Sequence, residues 1–298
     1  MKKTIYLVVL YFIGIYSSNL NAQKLAPYIK VGDVTESMLA TKEKVEQALQ
    51  AGNFEILGVY SPENNSNLTV IAFTRSDLKN TAIKVKDRGA MAAVLKVGLV
   101  KKGATITVSY TNPMYIFNAY LRKETPNYTN SLNQINEDVK VAFVNIGNDF
   151  AGFGGEIVAE KLWKYHYKMM MPYFSDPVKL NTYASFEEGV KIIEANLSNG
   201  KGNTKQVYKL LFKDKKVAVY GVALLDIEDG EPKFLPKIGE DNVAAMPYEI
   251  ILQGNTATML HGKYRLAVSW PELSMGTFMK IMSTPGNIKD MLKGITQK

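Results

Sequence analysis

The sequence predicts an α+β protein of two tandem modules, each with helices packed on a small antiparallel sheet, that together form a pseudo-dimer. Three observations predict this class. The order helix, strand, strand, hairpin, helix occurs twice along the 298 residues. Short apolar runs separated by turn residues are typical of antiparallel strands. The helical segments carry their apolar residues on one face, so we expect each of them to cover one face of a sheet.

The first module, residues 23–121, begins its repeated pattern with an amphipathic helix. Val45 and Leu49 fall on one face of that helix. Two strands are predicted next, in FEILGVY and LTVIAFT. A Lys-Lys-Gly turn at 101–103 then separates two apolar runs and predicts a hairpin, and Pro113 opens a short closing helix.

The second module, residues 183–298, repeats that order. Ser185 and Glu188 have the spacing of a capping box at the start of its helix. Strands are predicted in QVYKLLF and KVAVYGVALLDI. A hairpin is predicted in AMPYEIILQGNTATMLHGKYRLAVSWPEL, with His261 as a surface residue at its turn, and a closing helix in MGTFMKIMSTP.

Two local matches support the duplication. Ala90-Met91 corresponds to Ala245-Met246, just before each hairpin. Val108-Ser109-Tyr110 corresponds to Val268-Ser269-Trp270, before a proline and a helix in each module. Because both matches occur in the same order within the same pattern of elements, they indicate a duplicated α+β module.

The connecting segment, residues 122–182, is predicted to be a joint between the modules. Its polar part, RKETPNYTNSLNQINED, predicts a loop, VKVAFVNIG a strand, and NDFAGFGG a glycine-rich turn. The glycine spacing does not match a G-x-G-x-x-G phosphate loop, which favours a flexible joint. The last part, EIVAEKLWKYHYKMMM, predicts an aromatic and methionine-rich helix that Pro172 ends.

The first 22 residues have the three parts of a secretory signal peptide. A basic start at Met1-Lys2-Lys3 precedes an apolar run from Ile5 to Tyr16, and the small residue Ala22 marks the cleavage point. The apolar run is shorter than the roughly 20 residues that a spanning helix needs. We therefore expect a periplasmic or secreted protein of residues 23–298, with retention of the run as an N-terminal anchor as the alternative.

Composition and charge exclude further classes of chemistry and of partner. The chain has no cysteine, so it forms no disulfide and offers no thiolate chemistry. Its net charge of +8 becomes +6 once Lys2 and Lys3 leave with the signal peptide, and the other lysines alternate with apolar residues, as in KLLFKDKKVAVY. This spacing indicates strands with one solvated face and predicts no nucleic-acid partner. No transmembrane segment is predicted in the mature chain.

One stretch of the chain resembles a known family. The residues from VEQALQAGNFEILGVYS through AAVLKVGLVKKGATITVSYTNPMYI, which include Tyr110-Thr111-Asn112-Pro113, resemble the domain-of-unknown-function 302 family. The resemblance is clear over residues 41–121 and weaker over 185–282, where LAVSWPELSMGTFMKI carries it. The family's Phe-Gly-Asn-Pro segment is replaced here by VKDRGAMAA. The resemblance implies helices on a small antiparallel sheet, often paired in dimers, and implies no activity.

Five aromatic residues of the joint are the candidates for contact with a ligand or partner. Aromatic side chains provide a large contact area, and we expect these five at the interface of the modules. They are Trp163, Tyr165, Tyr167, Tyr173 and Phe174. The sequence therefore favours a non-catalytic module that binds an unknown small molecule or envelope protein, without a cofactor.

The alternative is an envelope accessory protein for copper or haem. On a helix, His166, Met169 and Met170 would lie near one another. Imidazole with thioether sulfur is a ligand set for cuprous copper and also an axial pair for haem. The apolar stripe of an ordinary packed helix explains the same residues and is the preferred interpretation, so no metal is predicted.

No catalytic residue is predicted. The chain lacks G-x-S-x-G and H-E-x-x-H, and no S-x-x-K has convincing partners. Glu249 lies within a predicted strand and Glu272 follows a proline, so an acid–base pair would require folding to bring them together. The acidic run DIEDGE, residues 226–231, is interpreted as an exposed loop.

Overall fold

A computed structural model describes residues 23–298, and the predicted signal peptide, residues 1–22, lies outside the described residues. The first part of the chain forms, in order, β1 Lys24–Leu25, β2 Tyr28–Val34, α1 Met38–Ala51, β3 Glu55–Tyr60, β4 Leu68–Thr74, α2 Ser76–Ala82, β5 Leu95–Lys102, β6 Thr105–Thr111, α3 Pro113–Tyr120, α4 Thr129–Phe143 and β7 Ala151–Phe153. Two short elements follow, β8 Ile157–Val158 and α5 Ala159–Leu162.

The remaining elements form the second module. They are β9 Val178–Thr182, α6 Phe186–Ser198, β10 Thr204–Phe212, β11 Val217–Leu224, α7 Glu231–Ile238, β12 Tyr248–Gln253, β13 Thr256–Met259, α8 Gly262–Ser269, α9 Met275–Lys280 and α10 Thr284–Thr296. Within residues 23–298, no helix is both long enough and apolar enough to cross a membrane.

The two main sheets have the same strand order. One runs β3-β4-β5-β6-β2, with β7 added at its end, and the other runs β10-β11-β12-β13-β9. Neighbouring strands are antiparallel in both sheets, and each set of five strands alternates with helices in the same sequence order. The α+β class with two modules is therefore confirmed.

The predicted start of α6 is also confirmed. The Ser185 hydroxyl accepts the backbone N–H of Glu188 at 3.1 Å, and the Glu188 carboxylate accepts the N–H of Ala184 at 2.7 Å. These two hydrogen bonds are the capping box, and they satisfy two donors that a helix end leaves free. Val45 and Leu49 are fully buried on α1, as their spacing predicts.

The modules share their hydrophobic cores. Ile71 and Phe73 of β4 pack with the helices of the first module, whereas Leu68 and Val70 of the same strand join the core of the second. Residues alternate in this way because successive side chains of a strand point to opposite faces. Burial of each such apolar side chain contributes roughly 1.5–3 kcal/mol to the stability of the fold. The second face of the first sheet is therefore covered by the other module.

The edge strands β3 and β10 approach closely at a glycine. A Cβ placed on Gly58 would lie 1.9 Å from the carbonyl oxygen of Val207. Cross-module hydrogen bonds lie elsewhere in the interface: the Tyr28 and Tyr115 hydroxyls donate to the carbonyls of Ser269 and Val268, each at 2.8 Å. Each of these two buried hydroxyls therefore has a hydrogen-bond partner across the contact between the modules.

Two predictions for the connecting segment are wrong. The predicted loop and strand are replaced by one helix, α4, whose buried residues Leu132, Ile135, Val139 and Phe143 follow helical spacing. The many Asn and Gln residues of the segment hide this stripe, because they occupy only its solvated face. Phe143 stacks on Tyr110 of β6 with ring centroids 5.2 Å apart. Both α4 and β7 thus pack in the layers of the first module.

The predicted hairpin of the second module has its turn elsewhere. β12 and β13 join at Gly254, which has a positive φ of 55°, and His261 instead precedes α8 and accepts the N–H of Lys263 at 3.2 Å. Residues 268–270 lie at the end of a helix, so their match to the strand residues 108–110 is wrong. The sequence match relied on a chance similarity of three residues. The Gly-Asn pair at 254–255 is the turn signal that gives the position of the hairpin.

Candidate ligand-binding site

The aromatic and methionine-rich helix that was predicted at the joint is not formed. α5 ends at Leu162, and residues 163–177 follow turns and irregular backbone, with Met170 at a positive φ of 67°. Tertiary hydrogen bonds hold this path: the Tyr165 and Tyr167 hydroxyls donate to the carbonyls of Ala267 and Leu273, at 3.3 and 3.0 Å. These bonds outweigh the local helix propensity of the segment.

Residues 163–177, here named the joint segment, border a cavity of about 490 Å³, here named the joint cavity. This volume lies within the range of about 300–1,000 Å³ that is typical of small-molecule sites. Its wall combines aromatic rings with three cationic side chains and one carboxylate. The residues that line it are Leu121, Arg122, Lys123, Glu124, Trp163, Lys164, Tyr173, Phe174 and Ser175.

The candidate aromatic residues have different roles at this cavity. Trp163, Tyr173 and Phe174 line it, whereas Tyr165 and Tyr167 anchor the segment to the second module. Phe174 is buried, and its ring contacts those of Tyr120 and Tyr264, with centroids 5.5 and 6.0 Å away. The cavity wall therefore contains three of the five aromatic candidates that the sequence suggested.

Cations lie against both aromatic walls of the joint cavity. The Nζ atoms of Lys123 and Lys164 are 4.7 and 5.2 Å from the Trp163 ring centroid. The guanidinium carbons of Arg88 and Arg122 are 4.7 and 4.8 Å from the centroid of Phe174. Cations at these distances are attracted to the negative face of an aromatic ring. The wall therefore has a positive potential.

Arg88, Arg122 and Asp87 form an ion-pair cluster behind Phe174. Asp87 pairs with Arg88 Nη2 through Oδ1, at 2.7 Å, and with Arg122 Nη2 through Oδ2. Arg88 is only 4% exposed, and burial lowers its pKa from the ordinary arginine value. Burial likewise raises the pKa of the Tyr264 hydroxyl well above its usual value. The Asp87 carboxylate thus forms ion pairs with two guanidinium groups.

The metal-candidate residues do not share a helix face. Met169 and Met170 are 85% and 96% exposed, so their thioethers lie in solvent. The His166 imidazole stacks on Tyr173 with centroids 4.5 Å apart, and its Nδ1 lies 2.7 Å from the carbonyl oxygen of Lys168. The helix that would have aligned the three side chains is absent, since α5 ends at Leu162 and the backbone from residue 163 onward is irregular.

A second charged cluster lies between the two sheets and was missed as a site. Lys96 of β5 pairs with one oxygen of Glu249 on β12, and Arg265 Nε lies 3.3 Å from the other oxygen. Burial by itself would raise the pKa of Glu249, but the two cations outweigh burial and lower it. Burial lowers the pKa of Lys96. The only sequence signal was a glutamate inside a strand, and Glu272 is not part of this cluster.

Glu231, at the end of the acidic run, is buried rather than exposed. It accepts hydrogen bonds from the Tyr60 hydroxyl, the Glu63 N–H and the Leu224 N–H, at 3.2, 3.2 and 3.1 Å. Burial raises its pKa to about 7 despite these donors. The exposed-loop prediction is wrong for this residue, because the helix α7 that begins at Glu231 turns its carboxylate toward the first module.

Comparison with known proteins yields one structural likeness. No family model matches the chain, and no curated protein matches it. The crystal structure of an uncharacterized conserved protein, DUF302, from Bacillus stearothermophilus aligns with 41% of this chain and 98% of its own, at 13% identity and a TM-score of 0.35. No activity, ligand or partner follows from this likeness.

Proposed function

We propose that this protein is an exported, non-catalytic binding module of the cell envelope that holds a small molecule in the joint cavity. The observation that carries the proposal is the cavity itself, which has the volume of a small-molecule site and is lined by Trp163, Tyr173 and Phe174. The signal-peptide pattern of residues 1–22 supports a periplasmic or secreted location. The absence of a recognisable catalytic motif in the sequence supports a binding role.

The modules are proposed to be two copies of the domain-of-unknown-function 302 fold, paired within one chain. The support is the shared strand order of the two sheets and the motif of residues 41–121. Pairing places the joint segment against both copies, since Phe174 contacts Tyr120 of the first and Tyr264 of the second. A site at such a contact is expected, because ligand cavities commonly form where structural units meet.

A blocking variant tests the proposal. Ser175 lines the cavity and is exposed, so Ser175→Trp fills it without disturbing the core. Purified protein is incubated with a small-molecule extract of its source cells, desalted and denatured, and released compounds are measured by mass spectrometry. We expect a compound that the wild type and the exposed control Ser66→Trp retain and Ser175→Trp loses. Retention of none, or equal retention by all three, contradicts the proposal.

Elemental analysis separates this function from the metal alternative. Protein purified from its own cell envelope is expected to carry less than stoichiometric copper and iron. A stoichiometric metal that His166→Gln abolishes would favour the accessory-protein function instead, because a lost ligand removes binding energy. The matched control is His261→Gln, which changes the second of the two histidines of the sequence.

A further inference from the structure

The buried donors near Phe174 are short of acceptors. Within residues 23–298, seven buried side-chain nitrogen and oxygen atoms have no hydrogen-bond partner, and four of them are Arg88 Nε, Arg88 Nη1, Arg122 Nε and the Tyr264 hydroxyl. A buried polar group without a partner costs about 1–3 kcal/mol, so such groups seldom cluster by chance. Of these residues, Arg122 lines the joint cavity, whereas Arg88 and Tyr264 pack against Phe174 behind its wall. The unpaired guanidinium donors therefore add to the positive potential of the wall near Arg122.

The charge of this region is predominantly positive. Four cations, those of Arg88, Arg122, Lys123 and Lys164, lie near the carboxylates of Asp87 and Glu124. A third carboxylate, that of Asp176, accepts the N–H of Tyr173 at 2.9 Å. Asp87 already accepts from both arginines, and the Glu124 carboxylate accepts from the side-chain amide of Asn127 at 2.8 Å. The excess of cations attracts an anion, most effectively at Arg122, whose side chain is 23% exposed and therefore less screened by water than the exposed Lys123 and Lys164.

The aromatic walls limit the shape of that anion. Trp163 and Phe174 both line the cavity, but Phe174 is buried, with Arg88 and Arg122 against its ring, whereas Trp163 is partly exposed. A flat apolar body can contact the indole of Trp163 while its charged group reaches Arg122. A small inorganic anion would satisfy the charge but leave the exposed part of the indole uncovered.

We infer that the ligand of the joint cavity is a small molecule with a flat apolar body and one carboxylate or phosphate group, which Arg122 binds with Arg88 behind it. This inference rests on the proposed function and specifies the class of ligand. Arg122 is the residue that contacts the anion, because it is the one guanidinium among the three cations that line the cavity, and a guanidinium binds carboxylate or phosphate through paired N–H donors. Arg88 is a positioning residue that acts through Asp87 and the ring of Phe174.

Calorimetric titration of the chain with four probes tests the inference. Phenyl phosphate and phenylacetate carry a ring and a charge, benzyl alcohol carries a ring alone, and inorganic phosphate carries a charge alone. We expect at least one of the two aromatic anions to bind about tenfold or more tightly than benzyl alcohol and inorganic phosphate. The stronger of the two then tells phosphate from carboxylate recognition.

Two arginine variants complete the test. Arg122→Gln is expected to weaken binding of the aromatic anion about tenfold or more. The control is Arg75→Gln, because Arg75 also stacks on a phenylalanine, Phe54 at 4.7 Å, and pairs with two carboxylates away from the cavity. It should leave the affinity unchanged. Circular dichroism melts of both variants show whether each remains folded at the titration temperature.

The outcomes separate the two proposals. If benzyl alcohol binds as tightly as the anions and Ser175→Trp alone abolishes binding, the anion inference is overturned and the binding function stands. If inorganic phosphate binds as tightly as phenyl phosphate, the flat apolar body is not recognised and the inference is also overturned. If no probe binds and the extract experiment retains nothing, both proposals fail.

Discussion

Lys96 and Glu249 form a buried ion pair that joins the two modules through corresponding strands of their sheets, β5 and β12. Lys96 lies opposite Ala72 on the neighbouring strand β4, and Glu249 lies opposite Gly221 on β11, the corresponding strand of the second sheet. Their side chains are 8% and 4% exposed. Corresponding strands of the repeated framework thus carry opposite buried charges, which favours pairing of unlike modules.

Neutralising the two partners of this pair should have unequal effects. With Arg265, the cluster holds two cations and one carboxylate. Glu249→Met leaves two buried cations without their anion and is expected to destabilise the fold by roughly 3–5 kcal/mol. Lys96→Met leaves the Glu249–Arg265 pair intact, so its effect should be smaller. Urea unfolding measures both free energies.

A surface pair provides the control for the ion-pair prediction. Lys102 and Asp241 also join the modules, but their side chains are 64% and 60% exposed. Lys102→Met is therefore expected to change the unfolding free energy by less than about 1 kcal/mol. Equal losses for Lys96→Met and Glu249→Met, or the reverse order, would contradict the cluster as described.

The unfolding free energy should depend on pH through Glu231. Burial raises its pKa from the ordinary 4.5 to about 7, so between these values the folded state binds a proton that the unfolded state releases. The stabilisation that the protonated Glu231 carboxyl contributes to the folded state is therefore fully present below pH 4.5 and is lost as the pH rises through about 7. It amounts to about 3 kcal/mol, since one pKa unit corresponds to about 1.4 kcal/mol.

Glu231→Gln should remove that part of the pH dependence. The glutamine is neutral at every pH and keeps an oxygen for the N–H of Leu224. We compare chemical unfolding of the wild type, Glu231→Gln and the exposed control Glu228→Gln at several pH values between about 4 and 8. Parallel curves for wild type and Glu231→Gln would show that the carboxyl titrates near its ordinary value after all.

Gly58→Ala tests the close approach of the edge strands. The new Cβ would overlap the Val207 carbonyl, which belongs to backbone and has little freedom to move. Overpacking of this kind destabilises by about 1–3 kcal/mol or more. In contrast, a Cβ on Gly294 of α10 would meet no atom of the described residues within 4 Å, so Gly294→Ala should stabilise by about 0.5–1 kcal/mol. Thermal melts that reverse this order would mean that β3 and β10 are farther apart.

Leu162, and not Trp163, is expected to contribute most to the packing of this part of the chain against the hydrophobic core. Leu162 is 1% exposed, whereas Trp163 lies partly exposed in the cavity wall. Leu162→Ala should cost about 2–5 kcal/mol. Trp163→Ala should lower the unfolding free energy by less than about 3 kcal/mol, because the loss of about 3–5 kcal/mol is typical of a fully buried tryptophan. Urea unfolding in which Trp163→Ala is the more destabilised variant would place its indole in the core.

The sequence predicted the repeated strands better than the irregular parts of the fold. Apolar periodicity located α1 and α6 because their inward residues recur at helical spacing. It failed at α4, where polar residues dominate, and at residues 163–177, where hydrogen bonds from Tyr165 and Tyr167 set the backbone path. Such contacts connect residues about a hundred positions apart, so local patterns carry no signal of them.

The candidate site was predictable only in part. Aromatic composition identified the joint segment, because rings recur there at high density. Arg122 in the cavity wall and Arg88 behind it were not identified, since the two arginines are far apart in sequence and come together through Asp87 and Phe174. The ion pair of Lys96 and Glu249 likewise depends on how the two sheets face each other.

A crystal structure with a brominated aromatic anion tests the central claim most directly. The probe is 4-bromophenyl phosphate or 4-bromophenylacetate, whichever corresponds to the tighter of the two titrated anions, and bromine gives an anomalous signal that locates the ring independently of the anionic group. We predict bromine in the joint cavity beside Trp163 and Phe174, with an anionic oxygen about 2.7–2.9 Å from a guanidinium nitrogen of Arg122. Bromine bound only elsewhere, or no bound bromine at saturating probe, would contradict the account.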